Sequence, residues 1–348
     1  MRTVNIFFLL LFAPVVGFLF TVFNFDDHTQ AMGLPLKNTE IAVQSAEMQM
    51  EDINNNISFI NQLVEEQERL YREQEKVIQE LSRKSSNQIM LSDQIYEERI
   101  LAMLGPPIGF HQSERVEIKV FKLDELGYRG YIGKVKLHDP LAFRVVLARD
   151  KYGEKETPWE ATTRTGAILG VNGGGFYRFM QDGREYTLPI GNTVIDGKLV
   201  GGFQSSVEDI FFSGIKRDGE LIGGIFFERD ELLKQKPWQG VSFVPILIQD
   251  GKPVPLPRKW QNTKHPRTII GEYANGDLIL IVVDGRQSDW SSGVTLERLQ
   301  IKLIELGVKE GYNLDGGGSS VFIFNGKVLN RPSDGIQRSM ATNIMVLP

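Results

Sequence analysis

Three polar residues stand where apolar runs end, and each is followed at once by glycine: Val171-Asn172-Gly173-Gly174-Gly175, Val283-Asp284-Gly285 and Leu314-Asp315-Gly316-Gly317-Gly318-Ser319-Ser320. A carboxylate at such a position can meet developing positive charge or activate water. Backbone N–H groups of a glycine stretch, having no Cβ beside them, can turn toward an anion. Arg267, Arg286 and Arg338 lie in the same half of the chain, and a guanidinium holds phosphate by two parallel hydrogen bonds. Taken one at a time, Asp before Gly is a common turn pair and an arginine is usually a solvated surface residue. Their recurrence at strand ends argues for one anion-binding cleft containing carboxylates. His265 and Asp334, with Ser333, read as loop residues and stay outside the candidate set.

The elements that must bring these groups together are visible as periodicities. Leu278 to Val283 is a β-branched run ending at Asp284, Thr295 to Leu306 has helical spacing with Gly307 as its cap, and Tyr312-Asn313-Leu314 leads to Asp315. If the two strands of this strand, helix, strand unit lie parallel, Asp284 and Asp315 leave the sheet at one edge. Asn172 closes the Ala167 to Val171 strand in the same way, and ligands collect outside such strand ends. Further on, Val321 to Phe324, Asn325-Gly326 and Lys327 to Leu329 read as a hairpin with a two-residue turn that returns Asn330 and Arg331 to the cleft. Earlier, Arg115 to Val120, Gly130 to Leu137 and Phe143 to Leu147 read as strands. The expected fold class is α+β or α/β, a mixed β-sheet domain with few helices.

In order and spacing, Asn172-Gly-Gly-Gly-Phe-Tyr177, Pro266-Arg267-Thr268, Val283-Asp284-Gly285-Arg286, Asn313-Leu-Asp-Gly-Gly-Gly-Ser-Ser320, Leu329-Asn330-Arg331-Pro332 and Arg338 resemble the phosphodiester glycosidase family. The resemblance covers roughly residues 116 to 348, the size of one large domain. It implies a hydrolase that cleaves the bond between sugar and phosphate in a sugar-1-phosphodiester, with its site among these motifs. The phosphate monoester released is already a good leaving group, so the chemistry calls for a carboxylate near the anomeric carbon and for cations or N–H groups around the phosphate. On this reading Asp315 faces the sugar and Asp284 is a second carboxylate or an orienting group. Asn172, Gly173, Gly174, Arg267, Arg286, Gly316, Gly317, Gly318, Ser319, Ser320, Asn330 and Arg338 bind substrate. No cofactor is required, although a structural Ca²⁺ stays open. Two rival readings are a phosphoesterase whose Asp284 and Asp315 hold a divalent cation, and a scaffold that binds glycopolymer without turning it over.

Composition narrows the partners. A net charge of -5 in 348 residues argues against nucleic acid, which needs a basic face. There is no cysteine, hence no thiolate nucleophile or disulfide, and the 4 histidines have no ligand spacing. Val4 to Phe25 is almost wholly apolar, about the 20 residues that cross a bilayer, with Arg2 before it and Asp26-Asp27 after it. This predicts an uncleaved transmembrane signal-anchor over residues 1–25 with the remainder extracytoplasmic; a cleaved signal peptide is the competing reading. Ala46, Met50, Ile53, Ile57, Ile60, Val64, Gln67, Tyr71, Gln74, Ile78 and Leu81 follow heptad steps. Residues 26–104 are therefore expected to be a coiled-coil-like stalk, paired in a homodimer or lying on a partner, and residues 105–115 a linker around Gly105-Pro106-Pro107. An anchored domain of this kind suits a bacterial cell-surface protein acting on a phosphodiester-linked envelope glycopolymer or exopolysaccharide.

Overall fold

The structure is a computed structural model, and it describes residues 36–86, 93–207 and 209–348. The apolar run Val4 to Phe25 lies outside the described residues. Among those described, no helix is long and apolar enough to cross a membrane. The chain divides into two compact units with the boundary after Tyr71. The heptad segment is one helix, Leu36–Ser86, and the seam residues Met50, Ile53, Ile57, Ile60 and Val64 are exposed along it.

The second unit is mostly β-sheet with few helices. Its central sheet has eight strands in the order Gly109–Gln112, Val116–Glu125, Tyr128–Leu137, Leu278–Val283, Arg267–Tyr273, Val308–Leu314, Ile246–Gln249 and Lys252–Pro253. Two five-stranded sheets and a hairpin, Phe176–Gln181 with Arg184–Pro189, complete it. One five-stranded sheet carries Lys327–Val328, Phe322–Phe324, Leu169–Asn172, Thr342–Val346 and Phe143–Leu147.

The run Leu278 to Val283 is uniformly apolar because the central sheet is covered on both faces. Ile279, Ile281 and Val283 join Leu296, Leu299, Leu303 and Ile304 of helix Leu296–Glu305 in one core. Leu278, Leu280 and Val282 face the other way, into a core shared with Leu169, Val171, Phe322 and Ile344 of the five-stranded sheet. Thr295 caps the helix by accepting from Arg298 N, and Gly307 follows it at φ 79°.

Two expectations need correction. The sheets are not mixed: every strand ladder among the described residues is antiparallel. Leu278–Val283 and Val308–Leu314 do run parallel to each other, but Arg267–Tyr273 lies between them, antiparallel to both. The crossover helix therefore spans an intervening strand and still returns the chain in the same direction. The second correction concerns residues 93–115. Asp93–Leu104 is a separate helix whose Tyr96 and Ile100 are buried in the domain core, and the expected linker contains the first strand of the central sheet. Tyr96 and Ile100, within the segment expected to be stalk, are core residues of the domain.

Candidate active site

One edge of the central sheet gathers three strand termini. Arg267 pairs with Val283, and Thr268 pairs with both Val282 and Leu314. Asp284 and Asp315 thus leave the sheet on either side of the residue where the middle strand begins. At about 4.8 Å per strand, their backbones emerge roughly 10 Å apart. The five-stranded sheet brings its own edge here, since Asn172 ends one strand while Phe322 and Thr342 begin its two neighbours.

Asp315 is the carboxylate around which the site is built. Its backbone is clamped from the five-stranded sheet: its N–H donates to Gly173 O at 3.4 Å, and its carbonyl accepts from Asn172 Nδ2 at 2.5 Å. The side chain is half-buried. Burial pushes its pKa up to about 6, against the Ser319 hydroxyl, the Arg338 guanidinium and the Gly316 N–H, which favour the charged form. Such a group is largely ionised at neutral pH and only weakly solvated. The Ser319 hydroxyl lies against this carboxylate, and the Ser320 hydroxyl next in sequence is buried without a hydrogen-bond partner among the described residues.

The Gly316–Gly318 segment lets cations approach this carboxylate. Gly317 has φ 62° and donates its N–H to Pro266 O, which fixes a tight turn that a side chain would strain. A Cβ on Gly317 would come within 3.1 Å of an Arg286 terminal nitrogen, and one on Gly318 would run into Asp334 Oδ2 and the Arg338 guanidinium. Arg338 pairs with Asp334 at 2.7 Å. Arg286 also reaches His265 Nδ1 at 3.4 Å. Burial, then Arg267 and Arg286, hold the His265 pKa below its usual range, so its ring is neutral near pH 7.

Arg267 is buried at the start of its strand and donates to Thr263 O at 3.0 Å. It makes no ion pair with a carboxylate among the described residues, and Glu297 compensates it only at longer range. Burial pulls its pKa down to about 10. A buried cation held by carbonyls, with no contacting counter-charge, is suited to an incoming anion.

Four residues expected to touch substrate are engaged in contacts that join strands and sheets. Asn172 is fully buried; besides its bond to Asp315, its Oδ1 accepts from Thr268 Oγ1 at 2.7 Å and from Val321 N at 3.1 Å. Asn330 accepts from Phe322 N at 2.8 Å and donates to Ser320 O and to Asp284 Oδ1, each at 3.0 Å. Gly173 and Gly174 are not an open nest: a Cβ on them would lie 2.7 Å from Thr342 O and 2.6 Å from Ser242 O, and Gly173 N–H donates to Thr342 O. Here glycine serves close packing of sheet against sheet.

Asp284 also differs from a free second carboxylate. It is 1% exposed and accepts from Asn330 Nδ2, from Arg331 N at 2.9 Å and from Trp290 Nε1 at 2.8 Å. Burial pushes its pKa upward against those three donors. Trp290 in turn lies under the guanidiniums of Arg331 and Arg129, 3.9 and 4.6 Å from the ring centroid. Asp284 is thus the knot that orders the loop after its strand and fixes the hairpin's return. Asp334 and His265 enter the site without having been expected there. His265 was visible beside Arg267, but Asp334 carries no local signal and arrives only because its loop folds over Gly318. Among the described residues, no cluster of three or more His, Asp or Glu could hold a metal ion.

Comparison with known proteins agrees with this geometry. Residues 165–347 match the family model for phosphodiester glycosidase, more than half of the chain. The chain is 32% identical over 200 residues to human N-acetylglucosamine-1-phosphodiester alpha-N-acetylglucosaminidase, covering 52% of this chain and 36% of that protein. It is 29% identical over 202 residues to a prophage-derived uncharacterized protein of Bacillus subtilis, covering 55% of this chain and 30% of that protein. It therefore spans about a third of the length of these curated relatives. The catalytic domain of zebrafish N-acetylglucosamine-1-phosphodiester alpha-N-acetylglucosaminidase, solved in a form auto-inhibited by its pro-peptide, superposes with a TM-score of 0.54 at 25% identity, covering 68% of this chain and 85% of that one. With its characteristic glycine-rich motifs meeting at one sheet edge and more than half its length matched, the chain belongs to the phosphodiester glycosidase family.

Proposed function

We propose that this protein hydrolyses the bond between the anomeric carbon and the phosphate oxygen of a sugar-1-phosphodiester. The observation that carries this reading is the setting of Asp315, a half-buried carboxylate raised to about 6, with the Arg338 and Arg286 guanidiniums pressed onto the glycines that follow it. The carboxylate meets the oxocarbenium-like charge at the anomeric carbon, as nucleophile or by activating water. Arg267, Arg286 and Arg338 stabilise the phosphate as it departs carrying the bonding electron pair. Asp284, Asn172 and Asn330 hold these groups in register and do not touch the reacting atoms. Ser320 offers the sugar or the phosphate a buried hydroxyl that has no hydrogen-bond partner among the described residues, while the Ser319 hydroxyl supports the Asp315 carboxylate. This assignment needs no metal ion.

The apolar run Val4 to Phe25 supports a membrane-anchored form with the catalytic domain outside the cytoplasm, where an envelope glycopolymer or exopolysaccharide would be the substrate. The exposed heptad seam of Leu36–Ser86 supports pairing of that helix with a second copy. The purified full-length chain is to be incubated with the methyl diester of N-acetylglucosamine 1-phosphate, with and without chelator. Free sugar released at the same rate under both conditions supports the glycosidase. Chelator-sensitive ester cleavage favours a metal-dependent phosphoesterase, and binding without turnover favours a scaffold.

A further inference from the structure

We infer that Asp334 tunes the charge of the anion seat, so that it accepts a phosphate group bearing one negative charge and disfavours one bearing two. The use of such tuning rests on the glycosidase reading, because that reaction converts a singly charged diester into a doubly charged monoester. A seat made of arginines alone would bind the product more tightly than the substrate.

The placement of Asp334 is the basis for this assignment. Its carboxylate pairs with Arg338 at 2.7 Å, and the two side chains together press on Gly318, three residues from Asp315. On the other side, Arg286 presses on Gly317. Arg338 acts electrostatically on Asp315 and Arg286 acts on Asp334. Asp334 is therefore inside the cationic cluster, not on a remote surface. It is also exposed, so the fold does not require its charge to neutralise a buried partner. Arg267, Arg286 and Arg338 supply three positive charges around the seat, and the carboxylates of Asp315 and Asp334 remove two. The remaining single charge matches a phosphodiester.

Coulomb energy scales with the product of the charges, so Asp334 repels a dianion twice as strongly as a monoanion at the same position. In affinity, that doubling becomes a square. If Asp334→Asn tightens a monoanion by some factor, it tightens a dianion by about that factor squared. For a partly exposed seat, we expect about threefold for the monoanion and about tenfold for the dianion.

Phenyl phosphate and methyl phenyl phosphate, both fully ionised at pH 8, differ by one charge and lack an anomeric bond to be cleaved. Their dissociation constants for wild-type and Asp334→Asn full-length protein are to be measured by calorimetry, with Asp334→Glu as the charge-preserving control. Tightening of phenyl phosphate by about the square of the diester factor, with Asp334→Glu keeping the wild-type ratio, is the expected result. Equal factors for the two ligands, weaker binding of either to Asp334→Asn, or no measurable binding of phenyl phosphate to that variant overturns the inference. Hydrolysis of the methyl diester of N-acetylglucosamine 1-phosphate, assayed alongside, keeps the two claims apart. An inactive wild type with a squared ratio counts only against the glycosidase reading; an active one with equal factors counts only against the role of Asp334.

Discussion

The two glycine clusters have nearly the same composition and opposite roles. Around Gly173 and Gly174 an added Cβ meets backbone carbonyls of neighbouring strands, whereas around Gly317 and Gly318 it meets the mobile ends of Arg286, Arg338 and Asp334. The first cluster lets one sheet approach another closely enough for Asn172 and Gly173 to clamp the Asp315 backbone. The second leaves room for charged side chains and an anion. A run of glycines thus announces close approach, and what approaches decides whether the site is structural or chemical.

The comparison can be broken most forcefully at Asp315. Asp315→Asn is expected to lower kcat by about a thousandfold or more while the protein still folds, as loss of a nucleophile or base does; steady-state rates and circular dichroism check this together. Next come the paired glycine substitutions. Gly318→Ala should keep the unfolding temperature within a few degrees and cut kcat/KM by about tenfold to a hundredfold, because side-chain ends must move out of the anion seat. Gly174→Ala should instead destabilise the fold by about 2 to 4 kcal/mol, because its neighbour is backbone that cannot step aside. Denaturant titration and kinetics on the same samples would show whether the two clusters really divide the labour; similar profiles for both variants would remove the distinction.

A smaller effect is expected at Asp284. Asp284→Asn leaves Trp290 and the Arg331 backbone facing a group that can no longer accept from all three donors, and should destabilise the loop by about 1 to 3 kcal/mol. The accompanying fall in kcat should be well short of that for Asp315→Asn, as befits a residue that positions others. The smallest signal is the pH dependence. Because the folded pKa of Asp315, about 6, exceeds its ordinary value of 3.8, the folded state binds the extra proton between those values. Stability from this group is therefore greatest below that window and declines as pH rises through about 6. Wild type should lose stability relative to Asp315→Asn between pH 5 and pH 8, by about 1 kcal/mol, while its kcat/KM rises through about pH 6 as the carboxylate ionises.

Much of this arrangement could be read from the chain because it rests on local rules. The uniformly apolar run before Asp284, the capped helix and Asp315 after the next strand place both aspartates at one sheet edge whether or not another strand intervenes. The Asn325-Gly326 turn, with φ 50° and 71°, forms a two-residue hairpin as its composition requires. Thr268 to Gly271 reads as a strand, but its place between the other two was not legible, since antiparallel insertion from an earlier segment leaves no mark on the periodicity of its neighbours. Nor could composition separate Asn172 and Asn330, whose amides join strands, from residues that bind a ligand. That distinction depends on where each amide's partners lie, 8 to 149 residues away in sequence for the bonds to Phe322 and Val321. Asp334 was hidden for the same reason, as its role is created by a loop closing over Gly318.

The central claim, that Asp315 serves cleavage at the anomeric carbon, is tested most directly by hydrolysing the methyl diester of N-acetylglucosamine 1-phosphate in ¹⁸O-enriched water and locating the label by mass spectrometry. The expected result is ¹⁸O in the sugar hydroxyl at C1 and none in methyl phosphate. Label in the phosphate product would mean that the phosphorus–oxygen bond breaks, and would contradict the assignment.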